Sequence, residues 1–174
     1  MIIDFSIDFN SYEEKILNKY KIFTYVCPKC GTKHALYRHG TYVRNISYYK
    51  NKCIVNEKLK VLRLKCASCN STHAILPKDI IPYCIYTYSC IMKILYEHFN
   101  DKKSVLSIAF SYGISFQLIY LFIKLFNIFL KDCIYVLRTI NLWNDILNPH
   151  CKDVIKIISH LKDQFPQIYL SKTK

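Results

Sequence analysis

The sequence is short of chain breakers. Three glycines and five prolines in 174 residues leave no room for a long flexible linker, and a hydrophobic content of 52% excludes a disordered tail. Acids are also scarce: 12 Asp and Glu stand against 25 Lys and Arg, a net charge of +13. No Ser-His-Asp spacing, glycine-rich phosphate loop or paired carboxylate stands out, so the chain is not expected to be an enzyme. The opening "MIIDFSIDFN" has two acids, no basic n-region and no cleavage site, and does not read as a signal peptide. A cytoplasmic, reducing setting is therefore expected. Nine cysteines there point to metal before disulfides.

Four of those cysteines fall in a repeat. "CPKCGTKHAL" begins at Cys27 and "CASCNSTHAI" at Cys66, and both read C-x-x-C-x-x-x-H-A. Each C-x-x-C turn can present two thiolates, and a structural zinc takes four ligands in a tetrahedron. The two pairs are 35 residues apart, longer than the roughly 15–20 usual for such sites. The intervening sequence accounts for the excess. "TYVRNISYYK" (41–50) and "KLKVLRLK" (58–65) alternate as strands, the second with a phase slip at Val61–Leu62 that suggests a bulge. Asn51, Lys52 and Asn56 supply turn chemistry between them.

A hairpin of this kind returns the second turn beside the first, as in a zinc ribbon. The expectation is one structural Zn²⁺ held by Cys27, Cys30, Cys66 and Cys69, with His34 and His73 free to hydrogen-bond thiolates or backbone. The alternative is two separate Cys2His sites. Cys53, Cys84, Cys90, Cys133 and Cys151 lack paired spacing and read as small buried hydrophobes.

The charge gathers around this repeat. Between Cys27 and Lys78 eleven cations face a single acid, Glu57, so the segment attracts phosphate. Lys29, Lys33, Arg38, Arg44, Lys58, Lys60 and Arg63 are its candidate DNA contacts.

Beyond Pro77 and Pro82 the texture becomes helical. "TYSCIMKILYEHF" (87–99) carries Ile91, Ile94, Leu95 and Phe99 at helical spacing, and Asn100–Asp101 ends it. "VLSIAFSYGISFQLIYLFIK" (105–124) reads as helix, tight turn, helix. Gly113 supplies a positive φ, Ser115 a cap, and Ile108, Ile119 and Phe122 a core. This resembles the helix-turn-helix of DNA-binding proteins, which gives Ser115, Phe116, Gln117, Tyr120 and Lys124 as groove-facing candidates. Two rival readings exist. Residues 104–123 carry no charge over the length of a membrane span, although serines within it and Lys124 behind it oppose insertion. A plain buried hairpin without a DNA role is the other. A further amphipathic helix is expected over 153–165, with Val154, Ile157, Ile158 and Leu161 on its stripe. A short helix in "SYEEKILNKY", with Ser11 and Glu14 spaced as a capping box, is expected to pack on the ribbon.

In sum the fold class expected is α+β: a small zinc-ribbon β-hairpin module followed by an all-α helix-turn-helix bundle. The divisions are an N-terminal helical arm (1–23), a ribbon (24–80), a helix-turn-helix (81–130) and a C-terminal helical extension (131–174).

With "CPKCG" (27–31), "RHG" (38–40) and "LKCASCNSTHAILP" (64–77) followed by that helical hairpin, residues 24–130 resemble the N-terminal region of zinc-ribbon insertion-sequence transposases. More closely, they are similar to a family of uncharacterised bacterial proteins with the same ribbon, a THAxLP-type ending and a following IPY. The resemblance implies zinc on the four named cysteines and double-stranded DNA as partner, alone, as a homodimer or within larger transposition machinery. Transposases of this kind continue into a catalytic domain with three metal-binding carboxylates. Asp132, Asp145, Asp153 and Asp163 are scattered and do not spell one, so the expected role is targeting without cutting. A protein-interaction module is the alternative function. RNA binding, with Tyr42, Tyr48 and Tyr49 stacking bases, is a third.

Overall fold

The computed structural model describes residues 1–4, 6–18 and 22–139. It is a mixed α+β protein with one four-stranded sheet and three α-helices in the described part. The C-terminal extension beyond Thr139, with the helix expected over 153–165, lies outside the described residues.

The strands are β1 (Ile2–Asp4), β2 (Leu36–Lys50), β3 (Cys53–Cys66) and β4 (Thr72–Pro77), in the sheet order β1-β4-β3-β2. β2 and β3 are longer than the sequence pattern suggested. Their turn is Asn51–Lys52 alone, and both residues have positive φ (50° and 65°). That is the backbone a two-residue hairpin needs to match the twist of its strands. Asn56, expected in the turn, lies inside β3. The phase slip is visible in the burial: Leu59 and Val61 are buried, and so are Leu62 and Leu64.

β4 pairs antiparallel with β3, Leu64 facing His73, and parallel with β1, Ile2 facing Ile75. β1 corrects the expectation of a purely helical arm. The arm begins as an edge strand and then makes one wide helical turn over Glu13–Asn18. Its Ser11 hydroxyl donates back to the Asp8 carbonyl. The arm also contributes core: Ile7, Tyr12 and Ile16 are fully buried.

The helices are α1 (Tyr88–Phe99), α2 (Val105–Tyr112) and α3 (Phe116–Thr139). Each begins at a hydroxyl cap. Thr87 accepts from the N–H of Cys90, Ser104 from that of Ser107 and Ser115 from that of Leu118, satisfying donors the helix cannot satisfy itself. Gly113 ends α2 at φ 62°, ψ 32°, left-handed backbone that costs glycine little. The expected core residues Ile91, Ile94, Leu95, Ile108, Ile119 and Phe122 are all buried, and Phe126 joins them against Phe99. The uncharged stretch 104–123 is broken by Ser104, Gly113 and Ser115. No helix among the described residues is long and apolar enough to cross a membrane.

The chain divides into two compact units. One holds residues 1–46 and 56–85, with most of the sheet. The other holds the hairpin tip, 47–55, and the chain from Tyr86 on. Within this second unit the tip is tied to the start of the helices, where the N–H of Thr87 donates to the Ser47 carbonyl at 2.9 Å.

Candidate metal centre and cationic surface

The two C-x-x-C turns have the same backbone. In the first, the N–H of Gly31 bonds the carbonyl of Cys27 and the N–H of Cys27 bonds that of Thr32. In the second, Asn70 bonds Cys66 and Cys66 bonds Ser71. Gly31 and Asn70 both take positive φ, 72° and 55°. Glycine and asparagine are the residues that tolerate this best. The repeat beyond the cysteines is therefore a repeat of turn chemistry.

The turns lie side by side, since the N–H of Ala67 donates to the carbonyl of Ala35 at 2.8 Å. The Sγ atoms of Cys27, Cys30, Cys66 and Cys69 all lie within 4.8 Å of one another. Cys27 to Cys69 is 3.6 Å and Cys30 to Cys66 is 3.7 Å. A tetrahedron of sulfurs about 2.3 Å from one ion has edges of about 3.8 Å, so these four can hold a single metal ion. Among the described residues no other group of three or more such ligands is gathered.

The four sulfurs are not equivalent. Cys27 and Cys66 are buried, Cys69 is half-buried and Cys30 is exposed. Burial pushes the Cys27 thiol up to about 11. The Thr32 hydroxyl, 3.3 Å from Cys30, and the Thr32 backbone N–H hold the Cys30 thiol down at about 6. Ser71, the equivalent of Thr32, lowers Cys69 by the same means. A bound metal ion requires all four as thiolates, and the rim sulfurs Cys30 and Cys69 reach that state more readily than Cys27.

The histidines break the symmetry. His34 is exposed and has positive φ (58°). His73 lies buried on β4 with Nε2 3.4 Å from Cys27 Sγ. Burial, with the nearby positive charges of the N-terminus and Lys29, disfavours its charged form.

Of the remaining cysteines, Cys90 is buried and Cys84 half-buried, but Cys53 is exposed and donates to the Lys50 carbonyl. Position 53 is the first residue after the hairpin turn, where neither face is covered, so the expectation of a buried hydrophobe is corrected. The Cys133 side chain and Cys151 lie outside what is described.

The candidate DNA contacts fall in three groups. Lys29 and Lys33 are exposed on the first turn, and Lys58, Lys60 and Arg63 are exposed on β3. The Arg63 guanidinium lies over the Tyr42 ring at 5.7 Å, a favourable cation–π position. Ser115, Gln117, Tyr120 and Lys124 are exposed on the first three turns of α3 and its cap. Arg38 and Arg44 are used by the fold itself. Arg38 donates to the Ile16 carbonyl at 3.1 Å. Arg44 is half-buried and donates to the carbonyls of Ile81, at 2.5 Å, and Cys84. Those two carbonyls bracket the IPY segment, so Arg44 fastens it. Nothing in the local sequence marked that role, since its acceptors are backbone atoms almost forty residues away.

A family profile described as a domain of unknown function (DUF6431) matches residues 27–108. The matched stretch opens on the first cysteine of the cluster and closes inside α2. No curated protein matches the chain, and no solved structure does.

Proposed function

We propose that the protein is a zinc-stabilised binder of double-stranded DNA, built as a zinc ribbon and a helix-turn-helix, that serves the targeting side of a mobile element without cutting. The observation that carries this reading is the closed cluster of four sulfurs within an otherwise cationic segment. Four thiolates complete a tetrahedral ion and leave no position for an activated water. The metal then serves to hold a surface, and that surface has eleven cations to one acid between Cys27 and Lys78. Exposed lysines on β3 and on the first turn would supply phosphate contacts and most of the affinity. The short α2, the Gly113 turn and α3 support a separate reading element, on which Gln117, Tyr120 and Lys124 are exposed.

The test is selection of bound duplexes from fragmented genomic DNA, using zinc-loaded protein at moderate salt. Convergence on one short sequence supports a sequence reader, and the position of that sequence relative to mobile-element ends tests the association. Binding without convergence reduces the protein to a charge-driven grip. Absence of binding rejects the proposal.

A second reading, a protein-interaction module, is favoured by one feature of α2. Phe110 is 93% exposed and Leu106, one turn earlier, is 69% exposed. Apolar side chains this bare commonly mark an interface. Light scattering on the free protein tests it: a monodisperse monomer disfavours it, and self-association relieved by Phe110→Ser favours it.

A further inference from the structure

His73 departs from the symmetry of the repeat, and its position has a chemical consequence. A divalent ion held by four thiolates leaves a net negative charge on the sulfurs. Cys27 and Cys66 hold part of that charge away from water, at 1% and 0% exposure. Buried charge of this kind is costly unless it accepts hydrogen bonds. The turn itself helps, since the backbone N–H groups of Cys30 and Lys29 favour the Cys27 thiolate. The rim sulfurs have the hydroxyl-bearing residues Thr32 and Ser71 beside them. Cys27 has no such hydroxyl two residues on, because Lys29 stands there.

The geometry points to His73 as the side chain that fills this place: a positioning residue whose Nε2–H donates to the Cys27 thiolate and raises the site's hold on zinc without being a ligand. A metal-bound thiolate has no proton and can only accept. The 3.4 Å contact then requires the hydrogen to be on Nε2. The ring is well placed to keep that direction. It stands on β4 opposite Leu64, is 6% exposed, and so is set by the sheet rather than by a loop. His34 occupies the matching position of the first half-repeat, yet it is exposed and does not reach the sulfurs. The repeat therefore contributes four like ligands and only one supporting imidazole. This inference rests on the four-cysteine zinc reading. Partners of this kind change metal affinity by about 10–100-fold when removed.

The experiment uses the full chain loaded with zinc, cobalt or cadmium. Chelator competition gives the zinc affinity of the wild type and of His73→Leu, His73→Gln and His34→Leu. Expected is a loss of about 10–100-fold in His73→Leu, substantial recovery in His73→Gln, which keeps an amide donor, and no change in His34→Leu. Cobalt absorption should keep the sulfur-to-metal intensity of four thiolates in every variant. Should His73→Leu not fold, wild-type protein loaded with the spin-active cadmium isotope still decides the matter. A weak coupling from cadmium to the Hε2 of His73, carried across the N–H···S bond, is expected. Wild-type affinity in His73→Leu, or no coupling to Hε2 in the folded wild type, overturns the role of His73 alone. A large direct cadmium–nitrogen coupling makes His73 a ligand and also overturns it. A wild-type chain that takes up no metal overturns both this inference and the zinc reading.

Discussion

The Tyr12 hydroxyl donates to the carbonyl of Ile75 at 2.7 Å and, on its other side, accepts the N–H of Leu62 at 3.1 Å. Leu62 and Ile75 lie one step beyond the pairing of Arg63 with Ala74 along β3 and β4. The phenol thus bridges two backbone groups of neighbouring strands at the point where burial along β3 changes phase. Tyr12 is fully buried, and burial pushes its phenol up to about 12, so it stays a donor throughout the neutral range. Tyr12→Phe keeps the ring but leaves a buried N–H and a buried C=O without this partner. Such groups cost about 1–3 kcal/mol. Urea unfolding should show a loss of that size for Tyr12→Phe and almost none for Tyr37→Phe, where the side chain is exposed. Equal midpoints for the two variants would remove the bridge from the stability account.

Metal removal should expose the inequality of the four sulfurs. Cys66 is fully buried and Cys30 is exposed. A serine at position 66 puts a hydroxyl into an apolar setting and removes a ligand. A serine at position 30 removes a ligand where water can enter. Both variants should lose zinc stoichiometry, and Cys66→Ser should lower the thermal midpoint more. Chelation of the wild type should lower that midpoint reversibly, with zinc restoring it. If chelation leaves thermal unfolding unchanged, the cluster does not hold a structural ion.

How much of this was legible in the sequence depends on the range of the interaction. The four cysteines, the hydroxyl cap at Ser115 and the Gly113 turn are set by residues within a few positions, and spacing alone revealed them, as it did the hydrophobic faces of α1 and α2. The caps at Thr87 and Ser104 are equally local but were not read. β1 and the inward lean of Tyr12 depend on a strand more than sixty residues away and left no local mark. Arg44 illustrates the same limit, because a cation in a basic segment looks the same whether it meets phosphate or a distant carbonyl. The likeness of Gly31 to Asn70 and of Thr32 to Ser71 was present in the repeat and could have been read from it. Both pairs are known turn and thiolate partners.

Glu97 carries a pH prediction. It is 3% exposed and receives Tyr112 Oη at 2.5 Å, Lys103 Nζ at 3.0 Å and Lys93 Nζ at 3.3 Å. Burial alone would raise its carboxyl, but these donors together hold it below the usual glutamate value of 4.5. A carboxylate depressed in the folded state stabilises fully above its unfolded value. That contribution is lost as pH falls through the lower, folded value. Glu97→Gln should therefore cost stability at neutral pH, about 2 kcal/mol for charge-assisted bonds of this kind. The difference from wild type should shrink as pH is lowered below the usual glutamate value. A difference that persists unchanged into acid would mean the carboxylate charge is not what joins α1 to Tyr112 and Lys103.

The cationic surface makes a prediction that separates grip from fold. Lys58 and Lys60 are exposed two residues apart on β3, so their side chains emerge on the same face of the strand. If that face meets the DNA backbone, each lysine releases condensed counterions on binding, and the salt slope counts them at about 0.9 per phosphate. Lys58→Ala combined with Lys60→Ala should weaken binding and flatten the slope of log affinity against log salt by about 2. The effect should be uniform across DNA sequences, because phosphate contacts carry none of the base readout. Thermal stability should be unchanged. Arg44→Gln should do the reverse, since its guanidinium holds the carbonyls of Ile81 and Cys84: stability falls and the salt slope stays. Fluorescence anisotropy on one duplex at four salt concentrations, with Lys15→Ala plus Lys102→Ala as an exposed control, measures both quantities. A slope unmoved by the Lys58–Lys60 pair would take this face of β3 out of the interface and leave the first turn and α3 to account for any binding.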